Sequence, residues 1–156
     1  MEQPHWPTGL PPNFGGLDEE FSALARSRAV VLPVPYDFST TYQGGTRWGP
    51  RAILAASQNM EVWDDELGAT YRAGIHTLPE VEPTALGPEA MAARVEQAVD
   101  WILAQGKLPA VLGGEHSITA GAVRAAARRF PGLSVLQFDA HADMRERYLD
   151  SPFSHA

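Results

Sequence analysis

The sequence predicts an α/β fold built on a mainly parallel sheet, and three observations carry that expectation. Short apolar runs alternate with longer amphipathic stretches of helical period along the chain. Proline and glycine punctuate most of the junctions between them. Two clusters of chemistry-bearing side chains each follow directly on an apolar run, at the strand ends where ligands collect in open parallel sheets.

Taken in order, residues 1–16 hold Pro4, Pro7, Pro11, Pro12, Gly9, Gly15 and Gly16 and read as an extended arm. Trp6 and Phe14 are its candidate docking groups, and His5 reads as a surface histidine. Residues 17–156 read as one α/β unit. Asp18 to Arg26 is a short helix candidate, with acids in the first turn and Arg26 near the end. Arg28 to Val34 is the first buried strand. Its Pro33 belongs near the end, because proline cannot donate to a ladder. A polar loop, Ser39 to Gly45, leads to a helix that Gly49-Pro50 opens and that runs to about Asn59.

Asp64, Asp65 and Glu66 are consecutive and cannot share a face, so a solvated loop suits them better than a cation site. Gly74 to Leu78 is the second strand, with His76 read as a packed histidine. Pro88 opens a helix to Gln105 whose apolar stripe is Met91, Val95, Ala98, Val99 and Ile102, and Gly106 stops it. Pro109 to Gly113 is the third strand, and Ser117 to Phe130 the next helix, ended by Pro131-Gly132. The fourth strand runs into Phe138.

Composition narrows the function classes. With 44% hydrophobic residues among 156, the chain can build a core. A net charge of −7 argues against nucleic acid or an anionic membrane as partner, and favours a cationic ligand. There are no cysteines, so disulfides and thiolate metal sites are excluded. No apolar run approaches the roughly 18 residues of a membrane span, and no basic-then-apolar leader opens the chain. A cytoplasmic location is compatible with all of this.

The main chemical stretch is Leu136-Gln-Phe-Asp-Ala-His-Ala-Asp143. On an extended strand, Asp139, His141 and Asp143 at i, i+2 and i+4 would share one face. Ala140 and Ala142 leave room around them. Two carboxylates and an imidazole crowded together are costly to bury unpaired, and a bound cation removes that cost. The plain alternative is a polar loop at a strand end. The second stretch, Gly113-Gly-Glu-His-Ser117, directly follows the third strand. Its glycines permit a tight turn with close backbone approach, which puts His116 at the mouth of the sheet. Glu115 suits either a supporting role behind a metal ligand or a favourable acid at a helix N-terminus, and the second reading is preferred.

Together these stretches resemble the ureohydrolase family of arginases and agmatinases. The resemblance rests on Gly113 to Thr119, Phe138 to Asp143, and Ser154-His155. Pro33 to Asp37, followed by Gly45 to Ile53, is closer to the agmatinase branch than to arginase proper. The resemblance implies a three-layer α/β/α fold of the arginase/deacetylase type. It also implies two Mn²⁺ per subunit, with His116 and Asp143 on one ion, His141 on the other, and Asp139 bridging both. Hard oxygen donors with imidazole and no sulfur suit Mn²⁺ on chemical grounds, although ligand type also admits Mg²⁺, Fe²⁺ or Zn²⁺. The implied reaction is attack by a metal-activated water on a guanidinium carbon, giving urea and an amine. His155 matches the histidine that shuttles a proton to the leaving amine, a task suited to imidazole.

The implied substrate is a small cationic guanidino compound: agmatine first, with arginine and guanidinobutyrate as the near alternatives. The implied assembly is a homo-oligomer, trimer or hexamer. A metal-dependent deacetylase shares the overall fold, but one metal would leave several of these ligands unused. A metal-binding remnant without turnover is the non-enzyme alternative. The family is roughly twice this long, within the range of single α/β domains. Its later half carries an Asp-x-Asp motif that this chain lacks after residue 143. The chain is therefore expected to match the N-terminal half of such a protein. Two later strands of that fold lie between the third and fourth, so residues 1–156 alone are expected to expose bare sheet edges, fold poorly and lack activity.

Overall fold

A computed structural model describes residues 10–156, apart from Tyr71. His5 and Trp6 lie outside the described residues. Among the described residues there are five strands: β1 (Ala29–Val34), β2 (Trp63–Asp64), β3 (Ala69–Thr70), β4 (Ile75–Thr77) and β5 (Leu108–Gly113). Four α-helices accompany them: α1 (Glu19–Ser22), α2 (Gly49–Ser57), α3 (Pro88–Ala104) and α4 (Thr119–Arg129).

The main sheet has the order β4-β1-β5, and both pairings are parallel. β1 is central and almost wholly buried. Alternation along it points Val30, Leu32 and Val34 into one core with Met91, Val95, Val99 and Ile102 of α3. Each such side chain contributes roughly 1.5–3 kcal/mol by leaving water. Val31 is buried outside that cluster, and α2 packs on β1 and β5 apart from α3. Helices thus flank the sheet on both faces, as the sequence predicts.

Pro33 sits in this central strand, where a missing donor ought to hurt. Its carbonyl accepts from Val81 N–H at 2.9 Å, which shows that this residue faces the β4 side. The β4 ladder has already ended at Val31 opposite Thr77, so no ladder acceptor waits for the absent N–H.

Helix α3 begins as predicted at Pro88, whose lack of an N–H costs nothing in the first turn. Gly106, at φ 68°, ends it. Helix α4 lies against α3 with Gly121 at the crossing, where a Cβ would meet the Ala92 carbonyl and the Glu96 amide. Arg124 and Arg128 pair with Glu96 across the same seam. The acids at 64–66 sit on a solvent-exposed β2–β3 hairpin: Asp64 accepts the Leu67 amide and Asp65 the Trp63 indole N–H. His76 is packed, its Nδ1 donating to the Ser22 carbonyl at 2.7 Å. At the end of the N-terminal arm, Phe14–Gly16 forms a tight turn, with Gly15 at φ 78°, rather than extended chain. It is fastened by Phe14 N–H to Thr77 Oγ1 and Gly15 N–H to Ser57 Oγ, each at 2.9 Å.

The short helix expected over Asp18 to Arg26 is limited to Glu19–Ser22. The fourth strand does not form. Residues 133–138 have no ladder partner among the described residues, and Leu136 and Phe138 are 79% and 92% exposed. Apolar β-forming side chains do not make a strand by themselves, because a strand exists only where a neighbour completes its hydrogen bonds. β5 accordingly forms an edge of the sheet.

Candidate metal centre

The site is assembled at the carboxyl ends of β1 and β5. Gly114 makes the turn out of β5 at φ 50°. A Cβ there would lie 2.6 Å from both the Val34 and Tyr36 carbonyl oxygens, so only glycine lets the two strand ends approach this closely. The Glu115 amide then donates to Tyr36 O at 3.0 Å, and a 3₁₀ turn, His116–Ile118, leads into α4. His116 is thereby held at the mouth of the sheet, as the glycine pair predicts.

The second stretch reaches the site by another route. Asp139, His141 and Asp143 do not share one face of a strand, because the chain bends at Ala140 and His141. The His141 amide turns back to donate to Asp139 Oδ1 at 2.8 Å. Asp143 takes a left-handed φ of 48°, a conformation aspartate tolerates better than most residues.

The outcome is still convergence. Ligand atoms of His116, Asp139 and Asp143 all lie within 4.8 Å of one another. His116 Nδ1 is 2.5 Å from Asp143 Oδ2 and 3.9 Å from Asp139 Oδ2. His141 stands apart from this trio, with its side chain 82% exposed and its Nδ1 3.6 Å from Asp139 Oδ1. The two oxygens of Asp139 therefore face different imidazoles. The Asp139 carboxyl is held below the ordinary carboxylate range, first by the His141 amide and then by the two imidazoles. Two carboxylates and an imidazole in reach of one point, with no sulfur, form a donor set that fits a hard or borderline divalent cation.

His155 lies beside the trio and borders the same two clefts as Asp143. The larger cleft, of about 830 Å³, is also lined by Thr40 to Gln43, His141, Arg145 and Tyr148. Tyr148 meets the His155 ring edge-on at 5.8 Å.

Glu115 is the residue for which the sequence reading needs correcting. It is 3% exposed and makes no side-chain cap to its own helix. Its Oε2 accepts the Phe38 and Ser39 amides, each at 2.7 Å. Its Oε1 accepts the Ser39 hydroxyl at 2.9 Å and the Ser117 hydroxyl. It is a buried anchor for the loop after β1, and its partners there, Phe38 and Ser39, lie 77 and 76 residues away, beyond the reach of any local pattern. Nearby, Tyr36 is buried, and its hydroxyl has no hydrogen-bond partner among the described residues. Burial, reinforced by the Glu115 charge, pushes its phenol up to about 12.

Comparison with known proteins agrees with this geometry. The Arginase family matches residues 27–156. The chain is 36% identical to an N(1)-aminopropylagmatine ureohydrolase of Synechocystis sp., an alignment covering 100% of this chain and 53% of that protein. It is 31% identical to an agmatinase of Halalkalibacterium halodurans, covering 86% of this chain and 47% of that protein. The solved agmatine ureohydrolase of Thermoplasma volcanium superposes with a TM-score of 0.81 at 30% identity, over 93% of this chain and 47% of that one. The chain spans about half the length of the curated relatives it matches. Among the described residues no helix is long and apolar enough to cross a membrane. The sequence match from residue 27 onward and the shared fold lead to one conclusion: the chain belongs to the arginase family.

Proposed function

We propose that this chain carries the metal-binding half-site of a ureohydrolase that converts agmatine and water to putrescine and urea. The observation that carries the reading is the convergence of His116, Asp139 and Asp143 beside His155. His116 and Asp143 would hold one divalent ion, His141 a second, and Asp139 both, since its two oxygens face the two imidazoles. Mn²⁺ is the proposed metal, because the donors are oxygen and imidazole. Bound cations would supply Lewis acidity and a nucleophilic water near neutral pH.

The protein's own groups account for the remainder. Water adds its oxygen to the guanidinium carbon, the bond from that carbon to the amine nitrogen breaks, and a proton must reach the departing nitrogen. His155 is the proposed carrier of that proton, a reading supported by its position on the same clefts as Asp143. A homo-oligomer in the cytoplasm, acting on a free small molecule, is the proposed setting.

A second reading has a specific motive. The relatives named N(1)-aminopropylagmatine ureohydrolase include one aligned to the whole of this chain. That compound presents the same guanidinium on a longer cationic tail. Urea release by the Mn²⁺-loaded protein, as its gene encodes it, separates the candidates through kcat/KM for agmatine, N(1)-aminopropylagmatine and arginine. Agmatine is expected to exceed arginine. A lead for the aminopropyl compound selects the second reading, and a preference for arginine or no urea from any of the three overturns both.

A further inference from the structure

Ser39 Oγ has three polar neighbours and one proton. It lies 2.9 Å from Glu115 Oε1, 3.2 Å from His155 Nδ1 and 3.2 Å from the His155 amide nitrogen. A hydroxyl donates one hydrogen bond and accepts two. The His155 amide can only donate, so it takes one acceptor site. A carboxylate can only accept, so the short contact to Glu115 requires the Ser39 proton. That leaves Nδ1, and the only arrangement with a proton in every contact has Nδ1–H donating to Ser39.

We infer that Glu115, acting through Ser39, fixes the tautomer of His155, holding the proton on Nδ1 and leaving the lone pair on Nε2. Ser39 and Glu115 are then positioning residues for a proton carrier, and neither touches the substrate. The inference rests on the proposed role of His155, and it gives that role a direction: Nε2 takes up and returns the proton, while Nδ1 stays fixed. The Tyr148 edge contact also restrains this ring. Glu115 is suited to the task because it is buried and already oriented by the Phe38 and Ser39 amides.

Glu115→Gln is the discriminating variant. An amide oxygen in place of Oε2 would still accept both backbone amides, so the loop stays anchored. The amide NH₂ in place of Oε1 would donate to both Ser39 and Ser117, so both hydroxyls must turn their protons away, that of Ser39 toward His155. The proton on His155 is thereby driven to Nε2 with little change in structure. The test is ¹⁵N NMR of histidine-labelled protein, as its gene encodes it, with the His155 resonances assigned by a His155→Gln control. Wild type should show the Nδ1–H form and Glu115→Gln the Nε2–H form. Ser39→Ala should leave KM and metal content unchanged and lower kcat by about tenfold or more, within the reach of a positioned proton-transfer group. Ser39→Thr, which keeps the hydroxyl, should recover it. An Nε2–H wild type, or a tautomer indifferent to both substitutions, overturns the inference. Because the NMR readout needs no turnover, an Nδ1–H wild type that releases no urea would count against the proposed function alone.

Discussion

His116 Nδ1 and Asp143 Oδ2 stand 2.5 Å apart, joined across 27 residues of chain. The same two atoms would face a cation held between them, and Asp139 Oδ2 is the next nearest donor. His141 is mostly exposed and touches the group only through Asp139 Oδ1.

That difference predicts an order of effects on metal binding. His116→Ala, Asp139→Asn and Asp143→Asn should each weaken Mn²⁺ affinity by at least about tenfold, since even groups that merely support a ligand are worth about 10–100-fold. Asp139→Asn should remove the most metal, because its two oxygens serve two imidazoles. His141→Ala should leave one class of bound ion largely intact. Elemental analysis with titration calorimetry decides it, and full manganese in Asp139→Asn would refute the bridging role.

Gly114→Ala should damage stability and the site together. At φ 50° an alanine is strained, and its Cβ would press on two backbone oxygens that cannot swing aside. A loss of about 2–5 kcal/mol is expected, from overpacking of about 1–3 kcal/mol plus left-handed strain of about 1–2 kcal/mol. Gly132→Ala is the control, because it shares a positive φ of 81° but has nothing within 4 Å of an added Cβ. Urea unfolding midpoints should fall further for Gly114→Ala, and metal affinity should fall only there.

The loop after β1 should loosen in acid. The Asp37 carboxyl is held below its ordinary value, first by the Gly45 amide, then by the Thr40 hydroxyl at 2.8 Å and by Arg47. A carboxyl with a lowered folded-state pKa stabilises fully above its unfolded value, and that contribution is lost as pH falls through the folded value. Stability should therefore be flat near neutrality and decline below about pH 4, the ordinary carboxylate range. Glu80, lowered by its fork with Arg51, and Asp139 act in the same direction. Asp37→Asn should be less stable at pH 7 and show a shallower decline in acid. Urea titrations at both pH values measure it, and an unchanged slope in Asp37→Asn would assign the acid sensitivity elsewhere.

Local sequence determined a good deal of this protein. Pro88 and Gly106 bracket α3 because a proline fits a first turn and a glycine takes a left-handed φ wherever they occur. The period of Met91, Val95, Val99 and Ile102 set the buried face of α3. Gly113-Gly114 declared the close approach that holds His116, because only a residue without Cβ could make it.

Tertiary structure decided the rest. Residues 133–138 have the composition of a strand, yet pairing belongs to the neighbour as much as to the segment, and no neighbour among the described residues completes it. Asp139 and Asp143 were legible as candidate ligands, but their convergence comes from a bend and a left-handed residue rather than from strand alternation. Glu115 looked like an acid at a helix start, a local reading that could not foresee hydrogen bonds to Phe38 and Ser39 from the far side of the sequence. Side-chain chemistry and short-range sterics are properties of a few adjacent residues, so the sequence alone determined them. Which carboxylate meets which amide depends on where distant chain segments come to rest, and only the folded structure decides that.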